Sequence, residues 1–352
     1  LRRQRQMCIR DSGGGLSPTS LYRPRFSGAP LLSLINNESV ACPMSALSNL
    51  LSVFLIIAIG AGLKSTHIIR RDMWDGFERV TYVLLFPAMI ISTMASADLA
   101  STPFLAMGAT LVASLITIAA LLLLFRTALE KYLKIDGASF SSIFQGSIRW
   151  NSFVAFALAT SLHGREGATL CAVAIAAMIP LLNFLSVGVI TRYAQAQKTN
   201  WTIYGQAIVK NPFIWSCVLG LILNPLMKWI PSAVFSPVTL IGQASLAAGL
   251  LAAGAGLEFR HIPRINTGHF IALVAKLIAM PLLAVVYGSI FSVTGTAFSV
   301  TIVAMSVPTA SASYILARQL GGNASLMAEI LTLQTLFAMI TIPLFYGYLI
   351  LP

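Results

Sequence analysis

The chain has 352 residues, 57% of them hydrophobic and only 10% charged, with a mean hydropathy of +0.82. Water cannot solvate a surface of that composition, so the bilayer is the solvent, and the net charge of +12 does not describe a soluble nucleic-acid-binding face. The length leaves room for roughly ten spans of about 20 residues with short loops, and for no separate soluble domain.

In chain order, residues 1–43 come first and differ from all that follows. They carry Arg2, Arg3, Arg5, Arg10, Arg23 and Arg25 and lack the continuous apolar stretch of a signal peptide. They read as a disordered or non-native extension: the run QMCIRDS resembles translated adapter sequence, and the natural start is expected at Met44. From there hydropathy and breaks divide the chain into ten apolar segments, about 46–63, 80–95, 104–125, 140–162, 168–191, 207–227, 238–257, 269–292, 296–317 and 325–350. They lack strand-like alternation, and lipid tolerates only helices or closed barrels, so the fold class is an all-α membrane protein of ten transmembrane helices. The cysteines Cys8, Cys42, Cys171 and Cys217 have no metal or redox spacing, and no cofactor is expected.

Basic residues set the orientation. Thirteen lysines and arginines, from Lys64 to Arg318, fall in the loops after odd-numbered segments, against Arg165 and Lys228 in the even ones. The odd loops are therefore expected in the cytoplasm and both natural ends outside.

Sliding the chain by about 160 residues lays Gly60 on Gly220 and Asp98 on Glu258; an offset of 158 lays Trp150 on Pro308 and Gly164 on Gly322. Each half, 44–200 and 201–352, then holds five spans. An odd number makes the second half enter the membrane upside down, the inverted repeat of many secondary transporters, whose substrate sites lie near the midplane where interrupted helices meet. The paired interruptions are Arg149-Trp150-Asn151-Ser152 in segment four and SVPTASAS, residues 306–313, in segment nine.

Pro308 removes a backbone donor and crowds the carbonyl four residues back, freeing polar groups that the hydroxyls of Thr309, Ser311 and Ser313 extend. Arg149 facing lipid at the midplane would cost roughly 2.5 to 3.5 kcal/mol on insertion scales, so it is expected to face protein or an aqueous cavity. Its planar fork suits a carboxylate, and Asn151 beside it can donate and accept. The candidate substrate-binding set is Arg149, Asn151, Ser152, Pro308, Thr309 and Ser311. Each also has a structural reading: Arg149 pairing with carbonyls, Asn151 capping a half-helix, Pro308 shaping the crossing. Two further intramembrane charges, Lys276 and Glu329, either pair with one another or supply a proton relay. Asn183 and Gln334 are expected to bond neighbouring helices or line a cavity.

The stretches GSIRWNSFVAFAL, IPLLNFLSVGVI, KNPFIWSCVLGLILN, LAAGAGLE, KLIAMPLL and VPTASASYILARQLGGN resemble the auxin efflux carrier family, which includes the plant PIN proteins and bacterial transporters proposed for malate, malonate and related anions. The resemblance covers residues 45 to 350. It implies a ten-helix inverted-repeat fold related to bile-acid sodium symporters, in which broken helices four and nine cross and an elevator-like domain moves against helices one, two, six and seven. It also implies a substrate carboxylate near the crossing, at Asn151 and Pro308. Trp150 stands where plant members have proline, and the loop after helix five is only about 192–206; both departures point to a bacterial member in the plasma (inner) membrane.

The expected function is secondary transport of a small organic carboxylate anion, malate- or malonate-like or auxin-like, by an elevator-type alternating-access mechanism. The expected partners are that anion, the lipid bilayer, a coupling proton or sodium ion, and a second copy of the chain in a homodimer; no nucleic acid is expected. The alternative is a sodium–proton antiporter or related cation exchanger of similar crossed-helix build, which calls for buried aspartates that segments four and nine lack. An intramembrane enzyme is disfavoured by the absence of HExxH, GxSxG and paired membrane aspartates. The orientation predicts that a cysteine placed beside Arg70 reacts in intact cells only with membrane-permeant reagents, whereas one beside Lys228 reacts with impermeant ones; the reverse labelling would invert the topology.

Overall fold

The computed structural model describes residues 43–98, 103–194, 209, 211–259 and 265–349. The extension 1–43, apart from Pro43, lies outside them, as do Lys198, Lys210, Arg260 and Arg264 of the basic loops. The described chain is helical, with no strand among the described residues. In order it forms α1 (Pro43–Ser65), α2 (Arg71–Val80), α3 (Phe86–Ala95), α4 (Phe104–Leu124), α5 (Arg126–Leu133), α6 (Gly137–Ile148), α7 (Ser152–Tyr193), α8 (Pro212–Leu223), α9 (Ser232–Ala255), α10 (Thr267–Val274), α11 (Met280–Ile290), α12 (Gly295–Ser306), α13 (Ala312–Gln319) and α14 (Ala324–Leu349). The pairs α2–α3 and α10–α11 are each continuous through a π-helical turn, Thr81–Leu85 and Ala275–Ala279. Each turn is followed by a proline, Pro87 or Pro281, whose missing N–H removes a regular helical bond.

Eight helical runs among the described residues are long and apolar enough to cross a membrane. Two of the ten apolar segments, 140–162 and 168–191, fall within one 57-residue run, Gly137–Tyr193. At 1.5 Å per residue that run would be about 85 Å long if straight, nearly three times the hydrocarbon thickness. It is interrupted twice. The first break is the extended pair Arg149 (φ −71°, ψ 157°) and Asn151 (φ −86°, ψ 97°). The second is Gly164 (φ 57°, ψ −134°), a conformation open to glycine and costly for any residue with a Cβ. Segment 296–317 is likewise two short helices, α12 and α13, separated at Val307 (φ −68°, ψ 150°). α6 and α12 each have 12 residues and stop at the same offset that lays Trp150 on Pro308. The second apolar segment begins earlier than hydropathy suggests: its helix starts at Arg71, which puts Glu78 inside a candidate span, Asp72–Ala95.

The helices pack in two groups. α1, α2–α3, α8 and α9 lie chiefly on one another, and most of the rest gather around α7, α12 and α14. Close approach of α1 and α9 depends on absent side chains: a Cβ on Gly254 would stand 1.9 Å from the Ile57 carbonyl oxygen, and one on Gly60 would stand 2.2 Å from that of Leu251. Small residues of this kind let helix backbones meet in lipid, where no hydrophobic force draws helices together.

The two breaks touch. The Asn151 amide donates to the Pro308 carbonyl at 2.8 Å. Gln334 of α14, fully buried, ties three further backbone groups: its Oε1 accepts from the Thr309 amide (2.9 Å), and its Nε2 donates to the carbonyls of Gly146 (2.8 Å) and Ala272 (2.9 Å). Replacing Gln334 by Ala strips the Thr309 amide and the Gly146 carbonyl of this partner, at roughly 1 to 3 kcal/mol per buried group left unpaired, whereas the Ala272 carbonyl keeps the Ala275 amide. A clearly lowered melting temperature in detergent is expected; an unchanged one would deny the amide this role.

Candidate functional site

The junction of the breaks opens into a cavity of about 70 Å³ between the two helix groups. Glu78 and Tyr82 reach it from α2 and its π turn, and Asn211 and Phe213 from the start of α8. Arg149, Asn151 and Ser152 line it from the first break, Ile179 and Asn183 from α7, and Ala310 and Ser311 from the second break. The space suits a few waters or the head of a small organic acid and is far below the size of a drug-like pocket, about 300 Å³ or more.

Arg149 ends α6, and its Nη1 donates to Asn183 Oδ1 at 3.3 Å. That bond points the guanidinium along the cavity wall, with donors left over for an anion. Asn151 is the N-cap of α7: its Oδ1 accepts from the amides of Phe153 (3.1 Å) and Val154 (3.2 Å). The capping reading of Asn151 therefore holds, and only its Nδ2 donor is left to offer a ligand. Asn211 repeats the device at α8, its Oδ1 accepting from Phe213 N at 2.9 Å. The N-terminus of α7 thus faces the cavity beside Arg149, and both favour negative charge there.

Ser311 occupies the N-cap position of α13 without making a capping bond; its hydroxyl donates instead to Glu78 Oε1 at 2.6 Å. Of the six residues expected to bind substrate, Arg149, Asn151, Ser152 and Ser311 line the cavity, whereas Pro308 and Thr309 stand behind it. Pro308 spends its carbonyl on Asn151. Thr309 is fully buried, its amide on Gln334 and its hydroxyl on Ser313 at 3.1 Å.

Lys276 and Glu329 do not form the ion pair suggested by the sequence. Glu329 Oε2 bonds His269 Nε2 at 2.8 Å. The reason lies in a capping box at the start of α10: Asn266 accepts from the His269 amide, and His269 Nδ1 accepts from the Asn266 amide, which aims the other ring nitrogen at Glu329. Lys276 is fully buried, and its Nζ has no hydrogen-bond partner among the described residues. Neither residue lines the cavity.

Glu78, Tyr82, Asn211 and His269 escaped the sequence reading. Asn211-Pro212 is a legible cap, an N-cap residue followed by proline at the first helical position. Glu78 was hidden by a segment boundary placed at residue 80, nine residues after the helix begins at Arg71.

Residues 197–346 match a family model described as membrane transport protein. No curated protein matches the chain.

If Arg149 holds a carboxylate here, Arg149→Gln removes a charge-assisted bond of roughly 1.5 to 3 kcal/mol, a ten- to hundredfold loss of carboxylate affinity. Arg149→Lys should restore only part of it, because a point charge does not reproduce the fork. Affinity and melting temperature measured on one purified Arg149→Gln sample separate the roles: lowered stability with unchanged affinity would make the arginine structural.

Proposed function

We propose, on the premise that the chain carries the auxin efflux carrier family domain over residues 197–346, that this multi-pass membrane transport protein is a secondary transporter of a small organic carboxylate. The observation that carries the reading is a guanidinium, Arg149, held by Asn183 beside the capped N-terminus of α7 in a small cavity where two interrupted helices meet. Half-helix N-termini aimed at an anionic group are how several transporter folds hold carboxylates.

The architecture we infer has ten crossings in two inverted halves. Supporting it are the excess length of Gly137–Tyr193, its turn at Gly164, and the matched 12-residue half-helices α6 and α12. We read α1, α2–α3, α8 and α9 as the scaffold and the remaining helices as an elevator-like moving body, because the cavity lies where the groups meet and both line it. The site would then change sides when one group slides past the other. The orientation with both natural ends outside rests on the basic-loop bias, and residence in the plasma membrane rests on the resemblance to bacterial members.

The test is uptake and counterflow in proteoliposomes with labelled mono- and dicarboxylates, under imposed pH and sodium gradients. Saturable counterflow of a small carboxylate is expected. Sodium–proton exchange without any carboxylate flux would favour the cation exchanger.

A further inference from the structure

The cavity holds two opposite charges that do not pair. Arg149 and Glu78 both line it, yet no ion pair joins them; the guanidinium goes to Asn183 and the carboxylate takes the Ser311 hydroxyl. The Ser311 hydroxyl donates to Glu78 Oε1 at 2.6 Å, which uses the carboxylate as an acceptor. The bond also draws Ser311 away from capping α13, the ordinary use of a serine in that position. Glu78 is therefore an acceptor that lines the cavity from α2, apart from the arginine on the first break.

A bound ligand must complement both ends. A carboxylate satisfies Arg149. At the other end a second carboxylate would meet Glu78 across a partly dehydrated space, where like charges repel strongly, and no second cation lines the cavity to offset it: Lys276 lies elsewhere, and the Lys64 ammonium is bound to Glu258 at 2.7 Å. A hydroxyl or ammonium at that end would instead give Glu78 a donor.

We propose that the cavity selects a small monocarboxylate bearing a hydrogen-bond donor, hydroxyl or ammonium, at the end away from its carboxylate, and that Glu78 reads the donor and rejects dicarboxylates. The proposal rests on the reading that Arg149 holds a carboxylate, and it narrows the substrate class of that same site.

The test compares four three-carbon acids of similar size on the purified full chain in detergent by equilibrium binding: 3-hydroxypropionate, β-alanine, propionate and malonate. The wild type is expected to bind 3-hydroxypropionate or β-alanine at least about tenfold more tightly than malonate, with propionate between them, since an unpaired buried acceptor and a like-charge contact each cost that much. Whichever of the first two binds better identifies the donor. In Glu78→Gln the order should close or reverse, malonate gaining about tenfold or more and the preferred donor acid losing a comparable factor, while propionate changes little. Ser311→Ala, which keeps the charge and frees its oxygen, should preserve the wild-type order. Malonate binding more tightly than both donor-bearing acids to the wild type would overturn the proposal while leaving the carboxylate site intact. An unchanged order in folded Glu78→Gln would do the same. If Glu78→Gln does not fold, the wild-type and Ser311→Ala rankings decide. Failure of all four acids to bind would overturn the carboxylate site and this proposal with it.

Discussion

Hydrocarbon offers no partner to a loose amide or carbonyl, so a helix can be broken inside the membrane only where other protein groups take up what the break releases. The arrangement here follows from that constraint. Asn151 and Pro308, far apart in the chain, bond one another through their backbones, and Gln334 takes an amide from one break and a carbonyl from the helix leading into the other. Asn151 spends its side-chain oxygen on the new helix start that its own break creates. Once these bonds are made the two breaks are fixed against each other, and the side chains next to them, Arg149 and Ser311, are delivered to one cavity.

The charged groups in the apolar interior sort by how they are compensated. Glu329 has His269, held in aim by a capping box. Lys64 anchors the end of α1 to Glu258 and to the Leu257 carbonyl beyond α9. Arg149 and Glu78 have neutral hydrogen-bond partners, Asn183 and Ser311, and both border the cavity. A desolvated charge with a neutral partner is an expensive arrangement for stability and an apt one for recognition, because a ligand of matching charge completes what the protein leaves unfinished.

Much of this was legible in the sequence. The helical class, the family resemblance and both breaks follow from long apolar runs, interruptions at matching offsets with Trp150 on Pro308, and a polar cluster where lipid would reject it. Four of the six candidate residues line one cavity, as expected of an intramembrane arginine that demands a polar surrounding. Pro308 and Thr309 lie outside the lining for a physical reason: the groups freed by a break are first claimed by the protein itself. Glu78 was missed because hydropathy averaging trims a polar helix end, and its ten-residue helix, Arg71–Val80, is strongly amphipathic rather than apolar. The Lys276–Glu329 pairing failed because charge alone does not disclose the competing histidine, whose direction is set by a cap three residues upstream.

The central claim is that a small carboxylate occupies the space between the breaks. The most direct measurement is alkylation of a single cysteine placed at Ala310, a small cavity-lining residue between Thr309 and Ser311, in protein whose own cysteines, Cys8, Cys42, Cys171 and Cys217, have all been replaced by alanine. The account predicts that saturating carboxylate slows alkylation at this position severalfold or more and leaves a control cysteine at the exposed Lys228 unaffected. An alkylation rate at position 310 indifferent to every carboxylate that the protein transports would contradict it.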